Sequence, residues 1–397
     1  MALTVLVTPA NYQYSKNPIV FKLSTNITGV DNYKMVGEVW MESSVDAHDF
    51  SKAGVQELDP LNGVCIFDFQ KIIDAYLQYN VPSYGLSTFA LANMVFKNFY
   101  IKYREKYGSP VVEQTAAFLP TNPIVSTYYQ AHKAGIPVHE FVGNTTKVND
   151  RLRTTGTALT RQPRNKLIRA DQKEFLYFFI NLDNADIAQV KYIITKQNGD
   201  VVNVLSGDLT VSSRAPYIIA AGFNQSGLSS TVDFSDIKKY TVQLIQKSSS
   251  NVISEVFTYI PDVDYYVDET IFYFTNCLGG FDTVRFTGTK ETSFEIEKET
   301  VQKIMLYDTP IVNGAFSEVN INKKDSFKVA SGWLTKAQVD WLEDFFIAEQ
   351  KFTEAYGQFI PIILKSNTFK KYDSRSGKTP YEFEYYHAFT NSVANSI

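Results

Sequence analysis

Histidine and cysteine are scarce in this chain of 397 residues, which has four His and two Cys. His48, His132, His139 and His387 belong to no HExxH pair and to no nucleophile-plus-base motif, so zinc-hydrolase and triad chemistry lack their usual carriers. Cys65 and Cys277 are far apart, with no second Cys or His near either. Their spacing gives neither a disulfide framework nor a zinc site, and two buried thiols are expected. No apolar run approaches the roughly 18 residues of a membrane span. The N-terminal "MALTVLVTPANYQY" lacks the basic and apolar regions of a secretion leader, so a chain kept in the cytoplasm is expected, where the sequons at Asn26, Asn144 and Asn224 carry no meaning. Charge of either sign is not in excess: the net charge is −4, which gives no electrostatic reason to expect nucleic acid or an anionic membrane as the main partner.

Aromatic residues are abundant. They make up 14% of the chain, with 25 Tyr and 29 Phe against 3 Trp, a composition suited to pleated sheets and to protein contact surfaces. Period-two alternation appears early. In "NPIVFKLST", Ile19, Phe21 and Leu23 face one way and Val20, Lys22 and Ser24 the other, and "MVGEVWM" (Met35–Met41) and "FYIKYR" (Phe99–Arg104) have the same strand character. In "FDFQKIIDAYLQY", Phe69, Ile72, Ile73, Tyr76 and Leu77 instead fall at helical spacing, with Asp68 placed to cap the first turn, which predicts a short helix on the sheet. Strands resume with "FLYFFINL", "VKYIITK", "VVNVLS", "KYTVQLIQK" and "VISEVFTYI", and Asn198-Gly199 marks a tight hairpin. Near the C-terminus, "SGWLTKAQVDWLEDFFIAEQ" predicts the clearest helix. Thr335 and Gln338 read as a capping box, and Leu334, Gln338, Trp341 and Phe345, flanked by Val339, Leu342 and Phe346, form a wide apolar face. "FIPIILKSN" and "YEFEYYHAF" are strand-like, with "DSRSGKTP" as a turn or loop between them.

The expected class is therefore mainly β with a few helices, a β-rich α+β protein of tandem β-sandwich modules with a helix packed on sheet in the first and last. The expected boundaries are an N-terminal module over 1–141, a basic connecting segment over 142–171, a β-sandwich over 172–262 and a C-terminal α+β module over 263–397. The connecting stretch reads as a long polar loop. Lys147, Arg151, Arg153, Arg161, Arg164, Lys166, Arg169 and Lys173 make it strongly basic against Asp150 and Asp171, and it is a candidate docking surface for another protein. No aromatic is interleaved before Phe175, so specific nucleic-acid binding is not expected.

The stretch "YFTNCLGGFDTVRFTG" raises the question of chemistry. It lacks the GxxxxGK[ST] of a phosphate loop and the GxGxxG of a dinucleotide site. Its flanks alternate, so Gly279 and Gly280 read as a tight turn or bulge between two strands, with Asn276 and Asp282 available to bond the turn backbone. "DAHD" (Asp46–Asp49) reads as a surface loop, and "PDVDYYVDE" lacks calcium-loop spacing and reads as a solvated linker. No catalytic residue, metal ligand or cofactor is assigned.

Five segments in order, "NPIVFKLS", "FDFQKIIDAYL", "RQPRNKLIRADQKEFLYFF", "NCLGGFDTVRFTG" and "SGWLTKAQVDWLEDFFIAEQ", resemble a group of structural proteins encoded by tailed bacteriophages and prophages of Bacteroidetes; "LGGFD" and "SGWLT" are the most specific pieces. The resemblance implies a non-enzymatic virion protein of the tail or neck, of distal-tail, baseplate or ring-adaptor type. It implies stacked β-sandwich modules, a homo-oligomeric ring of copies of the chain, contacts to neighbouring tail, portal or baseplate proteins, and assembly in the host cytoplasm. Exposed aromatics are then expected to cluster into lateral patches. The alternative is a carbohydrate-binding or adhesion protein presenting Tyr and Trp rings, Trp40, Trp333 or Trp341 among them, in a shallow groove.

Overall fold

In the computed structural model the described residues are 3–44, 49–109, 112–113, 128–137, 140, 152, 156–180, 186–211, 215–308, 310–365, 379–389 and 391–392. The protein is mainly β with sandwich-like sheets, and two helices accompany them among the described residues: α1 (Gln70–Ala75) and α2 (Lys336–Ile347). The chain forms two compact units. The first is Met1–Asp262 with Thr275–Asp282, and the second is Val263–Phe274 with Thr283–Ile397. The stretches expected as separate modules over 1–141 and 172–262 thus both fall in the first unit.

The first unit holds two sandwiches. One pairs a three-stranded sheet (Leu3–Val7, Val20–Thr25, Val64–Asp68) with a larger sheet that includes Lys34–Glu42, Phe50–Leu58 and Phe96–Tyr107. Phe21, Leu23 and Phe67 meet Met35, Val39, Phe99 and Ile101 in their shared core, the alternation seen in the sequence. α1 adds Ile73 to that core. Asp68 lies one residue before the helix N-cap, Phe69, and its Oδ1 accepts both the Gln70 amide at 3.0 Å and the Ile19 amide at 3.1 Å. One carboxylate therefore satisfies a first-turn donor and pins the helix to the neighbouring strand.

The second sandwich packs a sheet containing Phe175–Ile180 and Ala215–Ala220 on one containing Asp186–Lys196, Ile237–Gln246 and Phe257–Pro261. The Asn198-Gly199 hairpin is present as a longer loop than a two-residue turn. Lys196 and Asp200 close it, and Gly199 takes φ 93° while Asn198 is absent from the positive-φ residues. Asn198 instead accepts the Asp200 amide on its side chain, the pattern of a turn followed by a left-handed glycine. The basic stretch is not a plain loop. Asn165–Ile168 forms a strand parallel to Phe257–Pro261, too short for its alternation to register in the sequence.

The two sandwiches form one unit because Phe175–Ile180 is buried on both faces. Leu176, Phe178 and Ile180 enter the second core. On the opposite face Phe179 meets Tyr12, Phe96 and His132 at ring-centroid distances of 6.3, 5.5 and 6.3 Å, and the Tyr177 hydroxyl donates to the Asn80 carbonyl. The N-terminal part also supplies an edge strand, Phe89–Leu91, which pairs with Ala215–Ala220. A strand covered on both sides has no solvent face to alternate with, which is why "FLYFFI" is continuously apolar.

The second unit is built on one large sheet running in the order Phe281–Phe286, Thr270–Thr275, Lys351–Ala355, Gln358–Leu364, Thr379–His387, Phe316–Leu334, Lys290–Gln302. α2 covers one face. Thr335 Oγ1 accepts the Gln338 amide and the Gln338 side chain accepts the Thr335 amide at 2.9 Å, the reciprocal capping box. Val339, Trp341, Leu342 and Phe345 are buried, and the Phe345 ring lies 5.4 Å from both Phe272 and Phe274 and 5.5 Å from Phe383.

Candidate functional site

The glycine turn and the basic run are the two places where the sequence concentrates chemistry-bearing residues. The turn, Thr275–Asp282, belongs to the first unit and is buried there. Asn276 organises it from inside: its Oδ1 accepts the Leu278 and Gly280 amides, each at 2.9 Å, and its own amide donates to the Gly280 carbonyl at 3.0 Å. Gly279 has φ 85°, a backbone conformation that side chains disfavour.

Four contacts hold the turn from outside. The Asn276 amide side chain donates to the Leu159 carbonyl at 2.8 Å, and the Thr160 hydroxyl donates to Asp282 at 2.8 Å. The Gly135 amide donates to the Cys277 carbonyl at 2.8 Å, and His132 Nε2 lies 2.9 Å from the Leu278 carbonyl oxygen. No space remains for a ligand against the glycines: a β-carbon on Gly280 would sit 2.2 Å from the Leu159 oxygen, and one on Gly279 would sit 2.5 Å from His132 Nε2. Gly279, Gly280 and Asp282 therefore act as packing elements here.

Because a carbonyl only accepts, the His132 proton is on Nε2, and Nδ1, without a hydrogen-bond partner, carries the lone pair. Burial pushes this imidazole from its ordinary 6.5 down to about 4, against the opposing pull of the Leu278 carbonyl. Burial likewise pushes the Tyr177, Tyr240 and Tyr259 phenols well up, helped by the Asp282 or Glu174 carboxylate nearby, so these hydroxyls stay protonated.

Of the basic run, Lys147, Arg151 and Arg153 lie outside the described residues. The remaining cations have partners within the first unit. Arg161 pairs with Glu140 at 3.5 Å, and Arg164 with Glu255 while stacking 4.4 Å over Phe257. Lys166 pairs with Glu174 at 2.8 Å, Arg169 donates to the Asp262 carbonyl at 2.6 Å, and Lys173 lies 4.2 Å over Tyr84. The Lys166–Glu174 pair is the consequential one, because the Glu174 side chain is wholly buried and also accepts from Gln172. The sequence showed the cations; the acids that meet them, Glu140, Glu174 and Glu255, form no local pattern with them, and Glu255 lies 91 residues from its partner Arg164.

Elsewhere, Cys65 is buried and Cys277 only partly so; neither forms a disulfide, and burial raises the Cys65 thiol to about 11. Of "DAHD", Asp46, Ala47 and His48 lie outside the described residues, and Asp49 accepts the Ser43 hydroxyl. Among the described residues no group of three His, Cys, Asp or Glu side chains converges to hold a metal ion. Trp341 is core, Trp40 stacks 6.0 Å from Tyr100 with Lys102 4.4 Å from its ring, and Trp333 is exposed. No helix among the described residues is long and apolar enough to cross a membrane.

Large exposed aromatics are unevenly distributed. Apart from Tyr76, those of the described residues (Tyr265, Phe294, Tyr307, Phe316, Trp333, Tyr356 and Phe389) all lie in the second unit. The chain matches no family model, and no curated protein matches it.

Removing the cation from the buried pair separates an internal role from a docking one. Lys166→Met leaves Glu174 unpaired in the interior and is expected to lower unfolding free energy by about 3–5 kcal/mol, whereas Arg164→Ala, at a half-exposed pair, changes it by about 1 kcal/mol or less. Urea denaturation of both variants checks this; two unaltered stabilities would show that the cations serve something outside the fold. His132 predicts an acid-sensitive step. Its folded value lies below the unfolded one, so the unfolded chain takes up the proton first as pH falls. This stability contribution is complete above about pH 6.5 and is lost progressively toward pH 4, up to about 3 kcal/mol. Stability measured from pH 7 to 4 should show a flatter pH dependence in His132→Gln than in the wild type, and identical slopes would contradict the assignment.

Proposed function

We propose that this chain is a structural subunit of a tailed-phage virion, assembling with copies of itself into a ring of the tail or neck. The observation that supports it best is the concentration of large exposed aromatic side chains on the second unit. A soluble monomer rarely leaves a contiguous apolar patch larger than a few hundred Å2 in water, and an assembly surface needs one. The glycine turn and the described cations of the basic run are taken up by the first unit's own packing, which fits a scaffold better than a reacting centre. The five sequence segments that resemble phage structural proteins point the same way, and a head-to-tail contact between copies either closes into a ring or grows into a fibre.

Electron microscopy of the purified protein, with mass spectrometry of intact particles from a host carrying the gene, tests the proposal. The expected result is a closed ring of this chain and its presence in virions. A protein that stays monomeric at the highest attainable concentration and is missing from particles would overturn it.

A further inference from the structure

The second unit's edge hairpin outgrows its sheet. Strand Lys290–Gln302 pairs with Phe316–Leu334 along its whole length, from Lys290 opposite Val329 to Gln302 opposite Phe316. The next strand, Thr379–His387, accompanies only Ser326–Leu334, and Asn391–Ser392 adds pairs at Asn322 and Lys323. Beyond Asn322 the described ribbon is two-stranded, for about 20 Å at roughly 3.4 Å per residue, before its tip, described over 303–308 and 310–315.

Isolated two-stranded ribbons are marginal in water unless something covers them. The hairpin carries exposed apolar side chains on the approach to this part, within it at Val301 and Phe316, and at its tip. Cross-strand partners share a face, so Phe294 and Ile296 continue the face that carries Val329 and Phe327 in the unit's core. Val329 is 2% exposed, whereas Phe294 and Ile296 are 61% and 53% exposed. At the tip, Ile304, Tyr307, Ile311 and Val312 are 89% to 103% exposed. Taking roughly 150–200 Å2 per large apolar side chain, the arm presents on the order of 1,000 Å2 of apolar surface, comparable with the ≈ 800 Å2 that each partner of a standard interface buries.

We propose that this arm is an assembly arm, whose apolar tip and outer face are covered by a second copy of the chain. The proposal rests on the structural-subunit reading above. Charge favours a copy over an anionic partner: residues 303–315 contain one Lys and one Asp, so the tip neither repels its duplicate nor attracts phosphate or an anionic bilayer. The flanking edge strand carries Lys290, Glu291, Glu295, Glu297, Lys298 and Glu299, a charged border that discourages indiscriminate strand addition. Contact is thereby directed to the tip and the apolar face.

The test uses the full chain and the combined variant Ile304→Asp, Ile311→Asp and Val312→Asp, with Tyr307→Ser as a milder second variant, in sedimentation velocity over a wide concentration range. All four side chains are exposed, so thermal melting should be unchanged. The expected result is self-association of the wild type, weakened at least tenfold in the triple variant and to a lesser degree in Tyr307→Ser. Equal association of wild type and both variants would overturn the arm's role while leaving the subunit reading intact. A wild type that never self-associates would overturn both. Flotation with phosphatidylcholine vesicles, lost in the triple variant while self-association is retained, would reassign the tip to lipid.

Discussion

Gly280 lies where a β-carbon would sit 2.2 Å from the Leu159 carbonyl oxygen, and the order of the first unit's interior follows from that close approach. Without a side chain at this position the turn can lie against the 159–160 backbone. Asn276 can then bridge from the turn's amides to Leu159, and Asp282 can receive the Thr160 hydroxyl. On another side, His132 and Gly135 donate to the Leu278 and Cys277 carbonyls. Buried polar groups are tolerable only when such partners exist. The turn and its surroundings therefore supply one another's hydrogen bonds, and the glycines are the condition that allows them to meet.

The same interior explains why two sandwiches act as one compact unit. Phe175–Ile180 gives alternate side chains to the second core and to a layer made by Tyr12, Phe96 and His132, with Phe281 of the turn 5.9 Å from Phe175. The Lys166–Glu174 pair sits at the start of that strand and neutralises a carboxylate that could not otherwise be buried. Among the described residues, the glycine turn and the basic run are thus satisfied within this unit. In the second unit the helix-covered core is equally dense in aromatics, but the apolar face runs on past the helix into the hairpin arm. The proposed division of labour, one unit as scaffold and the other carrying an adhesive surface, grows out of that contrast.

Much of this was legible in the sequence. Alternation at Ile19–Leu23 and at Tyr240–Leu244, the Thr335–Gln338 capping box and the glycine turn each rest on local chemistry that a few adjacent residues express. What was not legible depends on distant partners. "FLYFFI" carries the mark of two-sided burial in its unbroken apolar run, yet nothing local names the second layer that covers it. The basic run suggested a surface because no local spacing shows Glu140, Glu174 and Glu255 folding onto its cations. The hairpin arm escaped notice for a different reason: "SFEIEKET" mixes apolar and charged residues at period two, which reads as an ordinary half-buried strand, whereas every residue of Lys290–Gln302 is exposed.

The most direct test of the central claim is the unfolding free energy of Gly280→Ala. Gly280 is not among the glycines with positive φ, so in the folded state the added methyl group acts by steric contact and not through a forbidden backbone conformation. If the turn is held by contact with Leu159, the variant should lose at least about 2 kcal/mol, because neither backbone can yield without breaking the Asn276 bonds. A variant within about 0.5 kcal/mol of the wild type would contradict the claim that this close approach organises the unit.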